Sequence, residues 1–275
     1  MTQAERRPPC VLTIAGSDSG GGAGIQADLK TFMAHGVHGL SAITAVTAQN
    51  TRAVTAVHVV PTAIIAAQVE ALFDDFRIEA VKLGMLADAG VIRCVAALLR
   101  RYRPAWVVLD PVMVASSGAR LLQPDALEAL REELLPLADL LTPNVPEAGL
   151  LLGTSIGDAG DMGRAADALR ALGARAVLLK GGHLAGDPVV DLLADEGGAI
   201  RFEHPRLPGE GHGTGCTLAS AVAARLALGE PLRSACAGAC DYVHRAFRAG
   251  ASLGRGPVRV LAHEIDALLN GGTGR

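Results

Sequence analysis

Short apolar runs alternate with amphipathic, Ala- and Leu-rich segments along most of the chain. Six of the runs are nearly continuous rather than alternating, which is typical of strands in a parallel sheet covered on both faces. The predicted strands are 11–17, 40–47, 80–83, 106–110, 140–142 and 176–179. The helices predicted between them are 24–35, 62–73, 89–101, 125–134, 147–152 and 162–172. This alternation predicts right-handed crossovers and a doubly wound α/β sandwich.

The pattern changes near residue 188. Two segments, 189–194 and 199–204, flank an Asp-Glu-Gly-Gly turn, which predicts a β-hairpin. Beyond it the chain is predicted to be helical over 214–228, 232–249 and 258–269. Because no repeat or Pro/Gly-rich linker divides the sequence, we expect a single domain over 1–275. The ends, 1–9 and 270–275, are expected to be flexible.

Composition narrows the class of protein. Half of the 275 residues are hydrophobic, and the formal net charge is −3 with no polybasic block. This argues against nucleic acid or an anionic membrane as a partner, and no apolar run approaches the length of a membrane span. The five cysteines include no Cys-x-x-Cys pair, which favours a reduced, cytoplasmic compartment over a disulfide framework or a zinc site.

Glycine and polar residues cluster directly after the predicted strands. In open parallel sheets ligands bind beyond the carboxyl ends of the strands, so these segments are expected to converge on one site. They are 16–24, 49–51, 84–85, 110–118, 143–147 and 180–183.

A Gly-Thr-Gly-Cys turn precedes the Ala-rich helix predicted from residue 214. It consists of Gly213, Thr214, Gly215 and Cys216. Glycines allow close backbone approach, and the unpaired amides of a first helical turn favour an anion such as phosphate. The alternative is an ordinary glycine loop with a threonine cap. Cys216 is either a thiol whose pKa the helix terminus lowers, giving a base or nucleophile, or a small buried apolar residue.

Standard nucleotide signatures are missing. The sequence has no Gly-x-x-x-x-Gly-Lys-Ser/Thr, and the glycines at 20–24 are not spaced as Gly-x-Gly-x-x-Gly. Phosphoryl transfer would therefore use another scheme, with oxygen ligands for Mg²⁺. Asp110 and the pair Asn144 and Glu147 are the candidates, although Asn144 and Glu147 equally fit a helix cap. Lys180 could contact a nucleotide phosphate or simply extend into solvent.

Seven stretches resemble, in order, the hydroxymethylpyrimidine/phosphomethylpyrimidine kinases of thiamine biosynthesis, which belong to the ribokinase-like superfamily. They are 14–28, 48–51, 82–86, 109–113, 141–144, 180–183 and 212–217. The resemblance spans nearly the whole chain. It implies a three-layer α/β/α sandwich with a mainly parallel sheet and a hairpin near 189–204. It also implies phosphorylation of 4-amino-5-hydroxymethyl-2-methylpyrimidine by ATP with Mg²⁺, and then of the monophosphate to the diphosphate.

The resemblance also implies roles for individual residues. Those expected to line the pyrimidine pocket are Gly16, Ala23, Gln49, Met85, Val112 and Cys216. An amide such as Gln49 offers a donor and an acceptor to an aminopyrimidine edge, although it could also cap a loop. Asp18 would lie near the substrate hydroxymethyl group or orient the loop as a turn residue. Nucleotide binding would fall to Lys180, Asn144 and the Gly213–Thr214 backbone, and the metal to Asp110 and Glu147.

One departure and several alternatives stay open. The family commonly has Asn-Thr before His-Gly-Thr-Gly-Cys, whereas this chain has Glu210 and Gly211, so altered nucleotide affinity is expected. Cys216 stands where related sugar kinases carry aspartate, which argues against a sugar substrate. The alternative functions are a pyridoxal/pyridoxine kinase and a non-catalytic pyrimidine-binding regulator. The partners expected are the small-molecule substrate and ATP, with a homodimer left open.

Overall fold

The computed structural model describes residues 7–115 and 118–264. Its eleven strands are β1 (Cys10–Asp18), β2 (His38–Gln49), β3 (Val54–Val59), β4 (Ile78–Leu83), β5 (Trp106–Leu109), β6 (Leu140–Leu141), β7 (Val177–Leu179), β8 (Val189–Asp195), β9 (Gly198–His204), β10 (Gly211–His212) and β11 (Arg259–Val260). Its α-helices are α1 (Gly24–Ala34), α2 (Thr62–Asp75), α3 (Ala89–Tyr102), α4 (Ala126–Ala129), α5 (Val145–Leu152), α6 (Ala159–Ala171), α7 (Thr214–Ala227) and α8 (Leu232–Ala249).

Nine strands form one sheet in the order β3-β2-β1-β4-β5-β6-β7-β8-β9. The six central strands, β2, β1, β4, β5, β6 and β7 in spatial order, pair in parallel. The outer strands β3, β8 and β9 are antiparallel to their neighbours. The carboxyl ends of the parallel strands therefore meet along one edge of the sheet. The six predicted parallel strands and the 189–204 hairpin are confirmed.

Helices cover both faces of this sheet, because alternate residues of each buried strand point to opposite sides. Leu12 packs with α2 to α6 in one apolar core, and Val11 packs with α1, α7 and α8 in the other. This is the expected three-layer α/β/α sandwich.

Three local predictions differ from the structure. Strand β3 was not predicted, because most of its residues are exposed and it lacks a continuous apolar run. The predicted helix 125–134 is α-helical only in α4 and continues as a π-helical turn, Leu130–Leu134, and a 3₁₀ turn, Leu135–Leu137, that contains Pro136. A proline ring is incompatible with the interior of a regular helix.

The predicted helix 258–269 is wrong at its start. Arg259 and Val260 form β11, which pairs in parallel with Gly211 and His212 of β10. This pairing satisfies the backbone groups that a helix would have used. Residues 265–269 lie outside the described part of the chain, as do 270–275.

Candidate active site

The turn before α7 faces an ion pair at the carboxyl edge of the sheet. Lys180 follows β7, Asp110 follows β5, and Lys180 Nζ donates a 3.0 Å hydrogen bond to Asp110 Oδ1. A Cβ added at Gly215 would lie 3.0 Å from Lys180 Nζ and 3.5 Å from Asp110 Oδ2. The backbone of the turn therefore approaches the charges as closely as a glycine allows.

The N-terminus of α7 differs from those of α3, α5 and α6. Asp88, Asn144 and Asp158 cap those three helices with side-chain hydrogen bonds. No described side chain caps α7, whose N-cap residue is Gly213. Uncapped first-turn amides carry the positive end of the helix dipole, so this terminus is suited to an anion.

Gly213 is required by the geometry of this turn. Its φ is +82°, in the left-handed region that favours glycine, and an added Cβ would collide with the carbonyl oxygen of Gly22. The glycine loop at 20–24 and the anion-binding turn are thus packed directly against each other.

Asp18 organises both segments. Its carboxylate accepts hydrogen bonds from the backbone amides of Gly20, Gly22 and Ala23 and from Nε2 of His212, at 2.7–3.1 Å. Burial alone would raise the pKa of Asp18, but the hydrogen bonds from His212, Gly20 and Ala23 outweigh it and hold the pKa below its ordinary value. These contacts support the loop-orienting alternative for Asp18.

His212 was not singled out from the sequence, although it lies in the 212–217 stretch. It is buried, and its Nε2 is 2.8 Å from Asp18 Oδ2 and 3.4 Å from Nε2 of Gln49. Gln49 is half-buried, and its Oε1 accepts a 3.1 Å hydrogen bond from Thr47. His212 therefore lies between the phosphate side of the site and the residue expected to contact the pyrimidine edge.

The remaining predicted pocket residues also converge. Met85 is buried, and its Sδ would be 2.9 Å from a Cβ added at Gly16. Val112 packs against the small apolar cluster that contains Met85, Ala45 and Ala87. Met85, Gly16 and Val112 therefore lie together, and a thioether with small apolar neighbours is a suitable contact for an aromatic ring.

Asn144 and Glu147 form a complete capping box at α5. Asn144 Oδ1 accepts from the Glu147 amide at 2.8 Å, and Glu147 Oε2 accepts from the Asn144 amide at 2.9 Å. Burial raises the pKa of Glu147 to about 7, with Lys180 lowering it and Asp110 raising it. Glu147 thus belongs electrostatically to the Asp110–Lys180 site as well as to the cap.

The expected lowering of the Cys216 pKa is corrected by the structure. Cys216 retains some accessible surface, but burial of its thiol raises the pKa to about 12. Lys82 and a backbone hydrogen bond from Gly24 act in the opposite direction and do not compensate. At neutral pH the protein alone therefore holds Cys216 as a thiol.

The departure at Glu210 and Gly211 has a packing explanation. A Cβ added at Gly211 would lie 2.6 Å from Cγ2 of Thr214 and 3.2 Å from the ring of Phe247. The carbonyl of Glu210 accepts a 2.8 Å hydrogen bond from the amide of Arg259. Gly211 lets the ring of Phe247 approach the strand that leads into the turn.

The arrangement of donor side chains shows which kind of metal ion the site could hold. Across residues 7–115 and 118–264, no group of three or more His, Cys, Asp or Glu side chains is arranged to enclose a metal ion. Asp110 and Glu147 are two buried, interacting carboxyl groups. One or two carboxylates completed by nucleotide phosphates suit Mg²⁺ better than an all-protein cage, so this pair fits a nucleotide-bound divalent ion. No helix in the described ranges has the length and hydropathy needed to cross a membrane.

Solved structures share this architecture. The crystal structure of phosphomethylpyrimidine kinase from Clostridium difficile 630 matches 86% of this chain and 99% of its own, with 44% identity and a TM-score of 0.78. The ADP complex of Bacillus subtilis pyridoxal kinase matches 95% of this chain and 100% of its own, with 36% identity and a TM-score of 0.87. The fold and these matches at 36–44% identity define a small-molecule kinase with the ribokinase-like fold.

The particular family follows from the sequence comparisons. The family model described as phosphomethylpyrimidine kinase matches residues 18–260, and the chain belongs to this family. The hydroxymethylpyrimidine/phosphomethylpyrimidine kinase of Rhizobium meliloti is 54% identical over 90% of this chain and 95% of that protein. The thiamine biosynthesis bifunctional protein ThiED of Geobacter sulfurreducens is 53% identical over 90% of this chain, which spans 50% of that longer protein.

Proposed function

We propose that this chain transfers the γ-phosphate of ATP to the hydroxymethyl oxygen of 4-amino-5-hydroxymethyl-2-methylpyrimidine, and then phosphorylates the monophosphate to the diphosphate, in thiamine biosynthesis. The names of curated relatives at about 50% identity support this substrate. The observation that carries it is the uncapped N-terminus of α7 facing the Lys180–Asp110 pair. Phosphoryl transfer depends mainly on positioning and charge neutralisation, and this arrangement supplies both.

The phosphate side of the site divides into an amide cradle and a cationic wall. The backbone amides from Gly213 to Cys216 would bind the transferring phosphoryl group, since the helix dipole points there. Lys180 would contact the nucleotide phosphates, and Asn144 would flank it through the β-bridge that joins the two residues. Asp110 and Glu147 would hold Mg²⁺, which supplies neutralisation of the phosphate charge.

The acceptor side consists of Gly16, Ala23, Gln49, Met85 and Val112. Met85 and Val112 would pack on the ring faces, and the Gln49 amide would pair with the aminopyrimidine edge. Ala23 is held by its amide hydrogen bond to Asp18. This wall would position the substrate hydroxyl beside Cys216.

Cys216 would orient the substrate hydroxyl as a thiol, and its thiolate form would accept the hydroxyl proton late in the transfer. In a loose transition state the attacking hydroxyl needs little activation before it meets the phosphorus. A base of high pKa is therefore compatible with the reaction when the proton leaves late.

Purified protein with hydroxymethylpyrimidine and MgATP tests the proposal through ADP release. We expect release that depends on the pyrimidine and a second phase as the monophosphate is consumed. Release no faster than in a pyrimidine-free control would refute the function. Mass spectrometry of the products separates the two phosphorylations.

Pyridoxal is a second candidate acceptor, because the pyridoxal kinase structure superposes with the higher TM-score of the two compared. Pyridoxal also carries a hydroxymethyl group on a six-membered ring. The two values of kcat/KM under the same conditions decide between the substrates. We expect hydroxymethylpyrimidine to be preferred.

A homodimer would bury the edge of the sheet that β3 forms. Val46 and Val57, on the paired strands β2 and β3, are 48% and 43% exposed. Light scattering of the wild type and of Val57→Lys tests this assembly. A monomeric wild type would exclude it.

A further inference from the structure

A buried polar network lies beneath the first turn of α7. Asp28 of α1, Lys82 of β4, Thr13 of β1 and Ser220 of α7 are each fully buried. Lys82 Nζ is 2.9 Å from both carboxylate oxygens of Asp28. Thr13 donates to Asp28 Oδ2 at 2.6 Å, and Ser220 donates to Asp28 Oδ1 at 2.7 Å. Three other elements therefore converge on one carboxylate of α1.

A buried ion pair is a costly way to fill a protein core. Burying two charges costs several kcal/mol per ion before they attract each other, and well-packed apolar residues of similar volume are often at least as stabilising. Lys82 is the charged residue in the fully buried part of β4, where Ala80, Val81 and Leu83 are apolar. A role in the neighbouring site would explain why charges occupy these positions.

Lys82 lies at the catalytic edge of the sheet. A Cβ added at Gly84, just past the end of β4, would be 2.9 Å from Lys82 Nζ. Ser220 follows Cys216 by one turn of α7, so the network lies directly behind the thiol. The ammonium has three protons, and within the described ranges its only hydrogen-bond acceptor is Asp28.

The charged side chains that act on Cys216 come from four separate segments of the chain. Lys82 favours the thiolate, whereas Asp110 and Asp28 oppose it, and Lys82 acts on Cys216 more strongly than Asp28 does. Lys180 also interacts with Cys216. Ser220, one turn after Cys216 on α7, donates a hydrogen bond to Asp28, so the Lys82–Asp28 pair lies against the helix that carries the thiol.

We propose that Lys82, held in place by Asp28, is a positioning residue that stabilises the thiolate of Cys216, the form able to accept the substrate hydroxyl proton. This inference rests on the proposed function for its catalytic consequence. In that step the substrate O–H bond breaks and an S–H bond forms on Cys216. The oxygen bonds to the γ-phosphorus while the bond from that phosphorus to ADP breaks.

The first test measures thiol reactivity without any substrate. Wild type and Lys82→Met are treated with iodoacetamide at pH 9.5, and the alkylation rate at Cys216 is followed by peptide mass spectrometry. Because only the thiolate reacts, we expect Lys82→Met to alkylate about tenfold more slowly. Cys94, on α3, serves as the internal reference in each sample. An unchanged rate in folded Lys82→Met would overturn the proposal.

A second variant separates the effect of losing the Lys82 charge from the effect of destabilising the fold. Lys82→Met leaves Asp28 without its cation, so Asp28→Asn/Lys82→Met is measured as a neutral replacement of the pair. We expect it to fold and to show the same slowing at Cys216. Thr13→Val removes a hydrogen bond to Asp28 but no charge, and its rate should stay within about twofold of wild type. Equal slowing in Thr13→Val would assign the effect to packing and overturn the proposal.

Steady-state kinetics test whether the Lys82 charge affects turnover. We expect Asp28→Asn/Lys82→Met to lower kcat about tenfold while KM for ATP stays within about twofold, because the pair contacts neither substrate. A rise in KM with unchanged kcat would contradict this. Slow alkylation in the variants, together with no pyrimidine turnover in wild type, would refute the proposed function and leave the Lys82 effect intact. Normal pyrimidine turnover in wild type, together with an alkylation rate at Cys216 that does not depend on Lys82, would support the proposed function and overturn the role of Lys82.

Discussion

Asp18 and His212 are 194 residues apart in the chain, and a 2.8 Å hydrogen bond from His212 Nε2 to Asp18 Oδ2 joins them. The same carboxylate accepts three backbone amides of the loop at 20–23. The Asp18 side chain thus joins the glycine loop by hydrogen bonds to His212, in the segment that leads into α7. The geometry of the anion-binding turn depends on this contact.

Asp18→Asn should lower the free energy of unfolding by about 2 kcal/mol at pH 7, because hydrogen bonds to a buried charge are lost. The pKa of Asp18 is held below 3.8, so its contribution is present above that pH and disappears as the pH falls through the folded-state pKa. The free energies of unfolding of the two proteins in urea should therefore begin to converge below about pH 4 and should coincide only below the folded-state pKa of Asp18. Asp88→Asn, at an ordinary helix cap, is the control and should change stability by less than about 0.5 kcal/mol. Equal effects of the two variants at pH 7 would contradict the prediction.

Gly213→Ala should impair both folding and catalysis. Alanine at positive φ costs about 1 kcal/mol, and the collision with the Gly22 carbonyl adds to it and displaces the turn. A shift of this kind should lower kcat/KM roughly a hundredfold. Gly229→Ala, at the other end of α7, has a φ of +89° with no neighbouring atom in the way and should show only the conformational cost. Comparable activity in the two variants would show that the Gly22 contact is unimportant.

Cys216→Ala should lower kcat by roughly 10²–10⁴-fold if Cys216 accepts the hydroxyl proton. Steady-state ADP release measures the effect. Cys94→Ala, which removes a partly buried cysteine of α3 outside the site, should keep wild-type kcat. Full activity of Cys216→Ala would reassign the proton acceptor.

Asp110→Asn should raise the Mg²⁺ concentration needed for half-maximal activity about tenfold or more, because one of two carboxylate ligands loses its charge. Titration of activity with Mg²⁺ at fixed ATP measures this shift. Asp158→Asn preserves a helix cap outside the site and should leave the Mg²⁺ dependence unchanged. An unchanged Mg²⁺ requirement in Asp110→Asn would place the metal elsewhere.

His263 should make the protein less stable in mild acid. Burial, together with Lys30, lowers its pKa from 6.5 to about 4, and its Nε2 is 3.0 Å from the hydroxyl of Thr217 in α7. Between these pH values the unfolded chain binds a proton that the folded chain excludes, so stability falls as the pH drops. The loss is about 3 kcal/mol over that interval.

His263→Gln should remove this slope from a plot of the free energy of unfolding against pH. Exposed His58→Gln should retain it. A wild-type slope in His263→Gln would show that another group causes the acid sensitivity.

Much of the fold was predictable because its signals are local. Continuous apolar runs predicted β1, β4 and β5, and helical periodicity predicted α3 and α8 closely. Strand β3 was missed because an exposed edge strand carries no such run. The segment around Arg259 was misread because a two-residue strand pairing depends on a partner far away in sequence.

The sequence by itself determined the order of strands and helices, the family, and the residue types at the carboxyl edge of the sheet, since these follow from short-range patterns and motifs. Only the tertiary structure decided that Asp18 accepts a hydrogen bond from His212, that Asp28 pairs with Lys82, and that the pKa of Cys216 is raised rather than lowered. Charge states and hydrogen-bond partners depend on burial and on neighbours from distant segments. A helix terminus favours a thiolate, but at Cys216 the loss of water around the sulfur outweighs it.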